Sequence, residues 1–356
     1  MLIGVLGNEG SWYVRELQRA GGELGHEVVR LEFPRIVAAC GMKPAEQPRS
    51  GDGIQPGPQA PGDGPHQTES PEGATESTEQ HKFRRPSGAA SIVGAGDRGL
   101  APPAKILRPF GTEIATAQGT DLTKVDAVII RTMPPGSLEQ VVYRMDMLAR
   151  LEASGVTVFN SPKSVECAVD KYLTTAKLEE AGLPVPATVV CENSDDALVA
   201  FERLGRDVVV KPIFGSEGRG ILRVSDPDLA LRTFRTLERL DAVLYLQRFV
   251  DHRGFDIRVL VLDGKILGGM RRVSDGDFRT NVSRDGRGEP HVVTDTEAEW
   301  ALRAAAATGA RFAGIDILYD RDGNGFVIEV NAVPGWQAFQ KVTGMDVARV
   351  VIEAVT

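Results

Sequence analysis

The chain has 356 residues, more than one ordinary domain needs and enough for two or three, each burying its own apolar core. A hydrophobic fraction of 42% and a charged fraction of 25% are those of a globular protein, and a net charge of −8 lacks the basic footprint that nucleic-acid binding requires. Cys40, Cys167 and Cys191 are too widely spaced for a disulfide framework or a CxxC metal site, which suits a reducing cytoplasm.

The opening Met1-Leu2-Ile3-Gly4-Val5-Leu6 has no basic lead and reads as a strand over 2–6, not a secretion signal, and no tract approaches the roughly 18 apolar residues of a membrane span. A helix over 11–24 and a strand over 28–32 complete a β-α-β opening, the start of a parallel α/β domain. From 41 to 103 the composition turns to Pro, Gly, Ser, Glu and Gln, which predicts a disordered low-complexity insertion. Order resumes with a strand over 125–131, the turn Met133-Pro134-Pro135-Gly136, a helix over 138–151 and a strand over 156–159. Ser161-Pro162 predicts a helix start, closed near Gly182 and Pro184. Strands follow over 208–213, 221–224, 244–249, 257–262 and 266–272, with one helix over 227–240, and a helix-strand-strand-helix unit fills 297–355. Domains are expected over 1–159, 160–250 and 251–356.

Two glycine patterns imitate nucleotide motifs. Gly94-Ala95-Gly96-Asp97-Arg98-Gly99 spells GxGxxG but precedes Pro102-Pro103, where the fingerprint needs a helix, so a glycine-rich linker is the better reading. Gly7-Asn8-Glu9-Gly10 is better placed after the first strand, yet it lacks the third glycine and reads as a tight turn. No GxxxxGK[ST] loop is present.

The strongest chemical signal lies near the C-terminus. Gly314 to Tyr319 and Phe326 to Asn331 flank Asp322-Gly323, a hairpin turn that sets Asp316 opposite Glu329 with Asn331 following on that face. Ile315, Ile317, Tyr319, Phe326, Ile328 and Val330 are expected on the other face. Facing carboxylates repel unless a cation lies between them, and an all-oxygen set suits Mg2+ or Mn2+. Removing Asp316 or Glu329 is therefore expected to abolish turnover with little loss of fold. A second hairpin about Asp263-Gly264 sets Asp256 opposite Arg271 with Arg258 beside them, either a structural ion-pair network or a clamp for phosphate and carboxylate oxygens. Lys211 interrupts the apolar run Val208-Val209-Val210, where an ammonium needs an anionic partner. The following Gly215-Ser216-Glu217-Gly218-Arg219-Gly220 lets backbone amides approach phosphates.

Taken in order, Asp170-Lys171, the Lys211 strand, the glycine loop, Leu246-Gln247-Arg248-Phe249-Val250, Asp256-Ile257-Arg258, Gly276-Asp277-Phe278-Arg279-Thr280-Asn281, Gly314-Ile315-Asp316 and Glu329-Val330-Asn331-Ala332-Val333-Pro334-Gly335 resemble the RimK-like branch of the ATP-grasp ligases. The resemblance covers Asn160 to the C-terminus. It implies a Rossmann-like pre-ATP-grasp α/β domain followed by a two-lobed ATP-grasp fold of α/β and α+β class, with ATP held between the lobes.

By the same resemblance, Lys171 and Lys211 lie at the phosphates, and Gly215, Ser216, Gly218 and Gly220 belong to a lid. Gln247, Arg248, Phe249 and Val250 form the hinge beside adenine, and Asp256, Arg279, Thr280 and Asn281 match nucleotide-binding positions. Asp316, Glu329 and Asn331 match the ligands of Mg2+ or Mn2+, with two ions implied, and Arg258 and Arg271 match catalytic residues near the transferred phosphoryl group. Arg248 stands where the family usually has glutamate.

The implied reaction activates an acceptor carboxylate as an acyl phosphate and couples it to an amine, L-glutamate. Met133 to Gln140 resembles a subgroup found beside tetrahydromethanopterin-linked genes, which implies a pterin cofactor as acceptor. A protein C-terminus, an amino-group carrier or a dipeptide are the alternatives, and a catalytically silent ATP-binding regulator is the non-enzyme reading. The expected partners are small-molecule or carrier substrates and copies of the chain in a homo-oligomer, without nucleic acid or membrane.

Overall fold

The structure, a computed structural model, describes residues 1–38, 115–117, 120–215, 219–274, 278 and 287–356. The insertion expected over 41–103, with its GxGxxG stretch, lies outside the described residues. Among the described residues no helix is long and apolar enough to cross a membrane.

Aliphatic runs build the N-terminal sheet. β1 (Leu2–Leu6) is joined through α1 (Trp12–Glu23) to β2 (Glu27–Leu31) on one side and pairs with β6 (Ala127–Ile130) on the other, with β7 (Thr157–Phe159) outermost, so the parallel order is β2-β1-β6-β7. Ile3, Val5, Val128 and Ile129 are fully buried, as befits strands covered on both faces. A small antiparallel ribbon, β3 (Ile36–Ala38), β4 (Ala115–Ala117) and β5 (Thr120–Asp121), flanks this sheet in sequence. Ser137 and Gln140 close a capping box at the start of α2 (Leu138–Ala153), which buries Met147, Leu148 and Leu151.

The single helix expected after Pro162 is two. α3 (Pro162–Val169) ends and α4 (Lys171–Glu180) begins at Asp170, whose backbone is extended and whose carboxylate accepts the Leu173 N–H at 2.9 Å. An aspartate is better used capping free amides than inside a helix. The break frees Lys171 to turn away from the helix axis, and its Nζ donates to the Gly215 carbonyl at 2.8 Å.

An antiparallel sheet of order β10-β9-β11-β8 follows, formed by β8 (Thr188–Cys191), β9 (Val208–Lys211), β10 (Leu222–Val224) and β11 (Leu244–Arg248). α5 (Ser194–Arg203) and α6 (Pro227–Glu238) cover one face, where Val208, Val210, Leu244 and Leu246 pack with Phe201 and Phe234. Sequence reading missed β8 and α5; the available signal for the helix was the Asn193 cap, whose side chain accepts the Asp196 N–H.

The largest sheet has the order β14-β13-β12-β15-β16: β12 (Phe255–Leu262), β13 (Lys265–Val273), β14 (Arg287–His291), β15 (Phe312–Tyr319) and β16 (Gly325–Asn331). One face packs Ile257, Val259, Val261, Ile315 and Ile317 against Ala301, Ala304 and Ala305 of α7 (Asp295–Thr308). On the other face Leu260, Leu262, Met270 and Phe312 join Trp336, Phe339 of α8 (Gln337–Thr343), and Val351 and Ile352 of α9 (Val347–Val355) in a core shared with α1. Buried Asn160 ties the end of β7 to this sheet: its Nδ2 donates to the carbonyls of Phe312 (2.6 Å) and Ala332 (2.7 Å), and its Oδ1 accepts the Phe312 N–H.

Both long hairpins contain a one-residue bulge that sequence spacing did not show. In β12–β13 the pairing near the turn, Leu262 with Lys265 and Val261 with Ile266, is the expected one; beyond the extra residue Leu267, Asp256 faces Arg272, not Arg271. Gly268, at φ +150°, adopts the backbone that this bulge needs. In β15–β16 Asp316 faces Glu329 as expected, but Ile328 is extra, so Val327 and not Ile328 continues the buried row opposite Ile317.

Candidate active site

Beyond its apolar end, the second face of the five-stranded sheet is charged. Arg258 grips Asp316 in a two-pronged pair, Nε to Oδ1 and Nη2 to Oδ2, both at 2.7 Å. Arg272 Nη2 lies 2.8 Å from the same Oδ2, while Arg272 also forks onto Asp256, with Nε 2.7 Å from Oδ1. Asp256 and Asp316 are each 1% exposed and Arg272 is 3% exposed, so this is a buried ion-pair row, not a solvated surface. Burial alone would raise the Asp316 carboxyl; Arg258 and Arg272 outweigh it and hold the group below its usual range.

Three N–H donors occupy three of the roughly four lone-pair positions of the Asp316 carboxylate, which leaves one on Oδ1. Glu329, directly across β15–β16, is half-buried and makes no hydrogen bond or ion pair among the described residues. Asn331 follows on that face opposite Gly314, its Oδ1 accepting the Val333 N–H at 2.9 Å with one lone pair to spare. Among the described residues no three His, Cys, Asp or Glu side chains group as metal ligands; this set is two carboxylates and an amide. The donors are all oxygens and one carboxylate lacks a partner among the described residues, so the residues fit a hard divalent cation such as Mg2+.

The four-stranded sheet supplies cations. Lys211, Tyr245 and Gln247 share the face of β9 and β11 turned away from the α5–α6 core. The anionic partner expected for Lys211 is replaced by a neutral one: its Nζ donates to Gln247 Oε1 at 2.7 Å. The residue keeps some exposure but its ammonium is enclosed, and burial pushes its pKa down to about 8, opposed chiefly by the field of Glu329, with Lys171 adding to the fall. Burial likewise lowers Lys171, against the pull of Glu329 and Asp170. A directional chain links the two lysines: Gln247 Nε2 donates to Tyr245 Oη (3.2 Å), Tyr245 Oη lies 2.9 Å from Thr175 Oγ1, and Thr175 Oγ1 donates to the Lys171 carbonyl (2.7 Å).

The remaining expected residues divide. Gly215 and Gly220, at φ +147° and +73°, use backbone conformations that favour glycine. Ser216, Gly218, Arg279, Thr280 and Asn281 lie outside the described residues. Arg248 is exposed and its N–H donates to the Ala187 carbonyl, while the Phe249 N–H donates to the Asp207 carbonyl at 2.9 Å. Asp256, expected at the nucleotide, is instead buried under Arg272.

Arg271, expected as catalytic, points to the opposite face, where its guanidinium stacks 3.8 Å from the Phe255 ring centroid and Glu289 is its cross-strand neighbour. The bulge gives its expected place to Arg272, which sequence reasoning missed; the Gly268-Gly269 pair inside the strand was the signal for it.

A lysine-bearing antiparallel sheet, a five-stranded sheet with an ion-paired row beside Glu329, and a preceding parallel α/β unit make up an ATP-grasp fold. A family model described as the RimK-like ATP-grasp domain matches residues 168–355, and one for the prokaryotic glutathione synthetase N-terminal domain matches 103–166; the chain belongs to the RimK-like ATP-grasp family. It is 35% identical over 260 residues to the tetrahydromethanopterin:alpha-L-glutamate ligase of Methanosarcina acetivorans, covering 65% of this chain and 80% of that one. To the ligase of the same name from Methanococcus maripaludis it is 32% identical over 260 residues, covering 71% and 87%. Its fold matches the crystal structure of a RimK domain ATP-grasp protein from Sphaerobacter thermophilus with a TM-score of 0.63 at 18% identity, over 99% of both chains. The chain is an ATP-dependent carbon–nitrogen ligase.

Proposed function

We propose that the chain joins L-glutamate to an acceptor carboxylate, with ATP bound between the lysine face and the acidic face and a tetrahydromethanopterin-type pterin as acceptor. The observation that carries this reading is the mismatch of charge between the faces: among the described residues Lys171 and Lys211 have no carboxylate in direct contact, and Glu329 has no cation. A polyphosphate with its Mg2+ resolves both imbalances at once. The domains over 1–159, 160–250 and 251–356 then supply, in order, the substrate crevice, the nucleotide lysines and the metal ligands.

Asp316, Glu329 and Asn331 would hold two Mg2+ ions, which supply charge neutralisation at the β- and γ-phosphates when bound. An acceptor carboxylate oxygen attacks the γ-phosphorus and the bond to ADP breaks, giving an acyl phosphate. The α-amino group of glutamate then attacks the acyl carbon; the C–N bond forms, inorganic phosphate leaves and the amine loses a proton. Arg258 presents its fixed guanidinium to the charge developing on the transferred group, and Arg272, braced by Asp256, keeps Asp316 ionised beneath it. The lid glycines around 215–220 exclude water from the acyl phosphate.

Purified protein incubated with ATP, Mg2+, labelled L-glutamate and a reduced pterin bearing a terminal carboxylate tests this: label enters the pterin in step with ADP release. ADP release with no label transferred to any carboxylate acceptor would discard the glutamate assignment.

A further inference from the structure

The N-terminal sheet holds an arginine that the chemistry above leaves unused. Arg131 follows β6, and its own N–H donates to the Leu6 carbonyl at 2.8 Å, which fixes it at the carboxyl edge shared by β1 and β6. That edge is a topological switch point, because the chain leaves β1 for β2 on one side and β6 lies on the other; ligands of open parallel sheets bind in such crevices. The guanidinium is 9% exposed as part of its residue and lies 4.8 Å from the Tyr13 ring centroid and 4.1 Å from that of Trp336. Nη2 donates to the Pro334 carbonyl at 2.8 Å, while Nε is buried without a partner and Nη1 has none among the described residues. No carboxylate pairs with it among the described residues, and burial pushes its pKa down to about 10, so it remains a cation at neutral pH.

Pro334 connects this arginine to the reaction site. A side-chain carbon placed at Gly314 would lie 3.1 Å from Pro334 Cβ and 3.6 Å from Arg258 Cδ, so Pro334 packs beside Arg258, three residues after Asn331. With rings beside the guanidinium, Nε enclosed and Nη2 held by Pro334, Nη1 is the donor left to a ligand, and a carboxylate oxygen matches it. An internal role alone would be met more cheaply by an apolar residue, since a buried cation without an anion is destabilising.

We propose that Arg131 is the specificity-determining residue that receives a non-reacting carboxylate of a substrate whose other end reaches the Arg258–Asp316 site. This rests on the ligase reading and deepens it. L-Glutamate offers two such groups, its α- and γ-carboxylates, and the acceptor is the other source; each has its own arm in the test.

Trp336 lies against the guanidinium, so its emission reports on the crevice without turnover. L-Glutamate, L-glutamine and 4-aminobutyrate are titrated against the native protein and against Arg131→Met, Arg131→Lys and Trp336→Phe, and KM values for ATP, glutamate and acceptor are measured. L-Glutamate changes native emission, Trp336→Phe loses the change, and Arg131→Met weakens binding about 10- to 100-fold with KM for ATP unaltered and melting temperature not lowered. Arg131→Lys recovers part of the affinity. Loss of binding by L-glutamine assigns the γ-carboxylate, loss by 4-aminobutyrate the α-carboxylate, and a rise only in the acceptor KM assigns the acceptor; all three support the role. A lowered melting temperature and kcat in Arg131→Met, with glutamate and acceptor KM within twofold of native, overturns it and leaves a clamp for Pro334. Arg131-dependent glutamate binding in a protein that joins glutamate to nothing would sink the ligase reading alone, whereas normal ligation by Arg131→Met would sink this one alone.

Discussion

The two faces that meet at the site balance their charges in opposite ways. On the five-stranded sheet, Asp256, Arg272, Asp316 and Arg258 neutralise one another in an unbroken buried row. On the four-stranded sheet, Lys211 leans on a neutral amide and Lys171 on a carbonyl, and burial depresses both. The first arrangement fixes geometry before any ligand arrives. The second stays electrically incomplete, which lowers its own stability but gives an anionic ligand something to gain. Glu329 marks the seam: it belongs to the paired sheet by position and to the unpaired one by charge.

The sharpest way to break this contrast is to compare Asp316→Ala with Glu329→Gln. Sequence reasoning treats the two carboxylates as equivalent ligands; the ion pairs show that they are not. Asp316→Ala strips the anion from Arg258 and Arg272 and is expected to lower unfolding free energy by about 3–5 kcal/mol as well as to abolish turnover. Glu329→Gln is expected to reduce turnover by about 10³-fold or more while the denaturation midpoint barely moves, because no internal partner is left bare. Equal destabilisation of the two variants in urea would refute the division between paired and unpaired faces.

Next in size is Lys211→Met. It removes an enclosed cation that lacks a carboxylate partner among the described residues, so stability is expected to hold or rise while KM for ATP increases about 10- to 100-fold. The pH dependence follows in sign. The folded pKa is depressed to about 8, so the cation is present below pH 8 and lost as pH rises through it, and nucleotide affinity of the free enzyme should fall there. Stability moves the other way, rising between about pH 8 and the ordinary lysine range, since the unfolded chain binds more protons in that window. An ATP affinity flat from pH 7 to 9.5 in the native protein would remove Lys211 from the phosphate site.

How much of this was legible in the sequence depended on what a count of alternating residues can see. Asp316 and Glu329 were paired correctly because two departures cancel: the turn pairs Tyr319 with Gly325, one residue short of the expected count, and the extra Ile328 restores it. Arg271 was chosen over Arg272 because alternation counts residues and cannot see one that is squeezed out at Leu267; a single slip exchanges the faces of every later side chain. The break at Asp170 was hidden because a capping aspartate inside a helical pattern looks like surface charge. Arg131 carried no motif at all, since only the fold brings Tyr13, Trp336 and Pro334 around it from distant parts of the chain.

The smallest expected effect tests how firmly the lysine face is held. Thr175 Oγ1 donates to the Lys171 carbonyl and is the hydroxyl partner of buried Tyr245, whose ring lies under Lys211. Thr175→Val keeps the volume but removes one hydroxyl partner of Tyr245, a loss of about 1–2 kcal/mol, or roughly 1–3 °C in a chain of this size. Because Gln247 still holds Lys211 directly, KM for ATP is expected to stay within twofold of native. A tenfold rise would mean that the relay from Lys211 to Lys171 orients the ammonium groups as strictly as Asp256 and Arg272 orient Asp316, and the two faces would then differ in charge but not in rigidity.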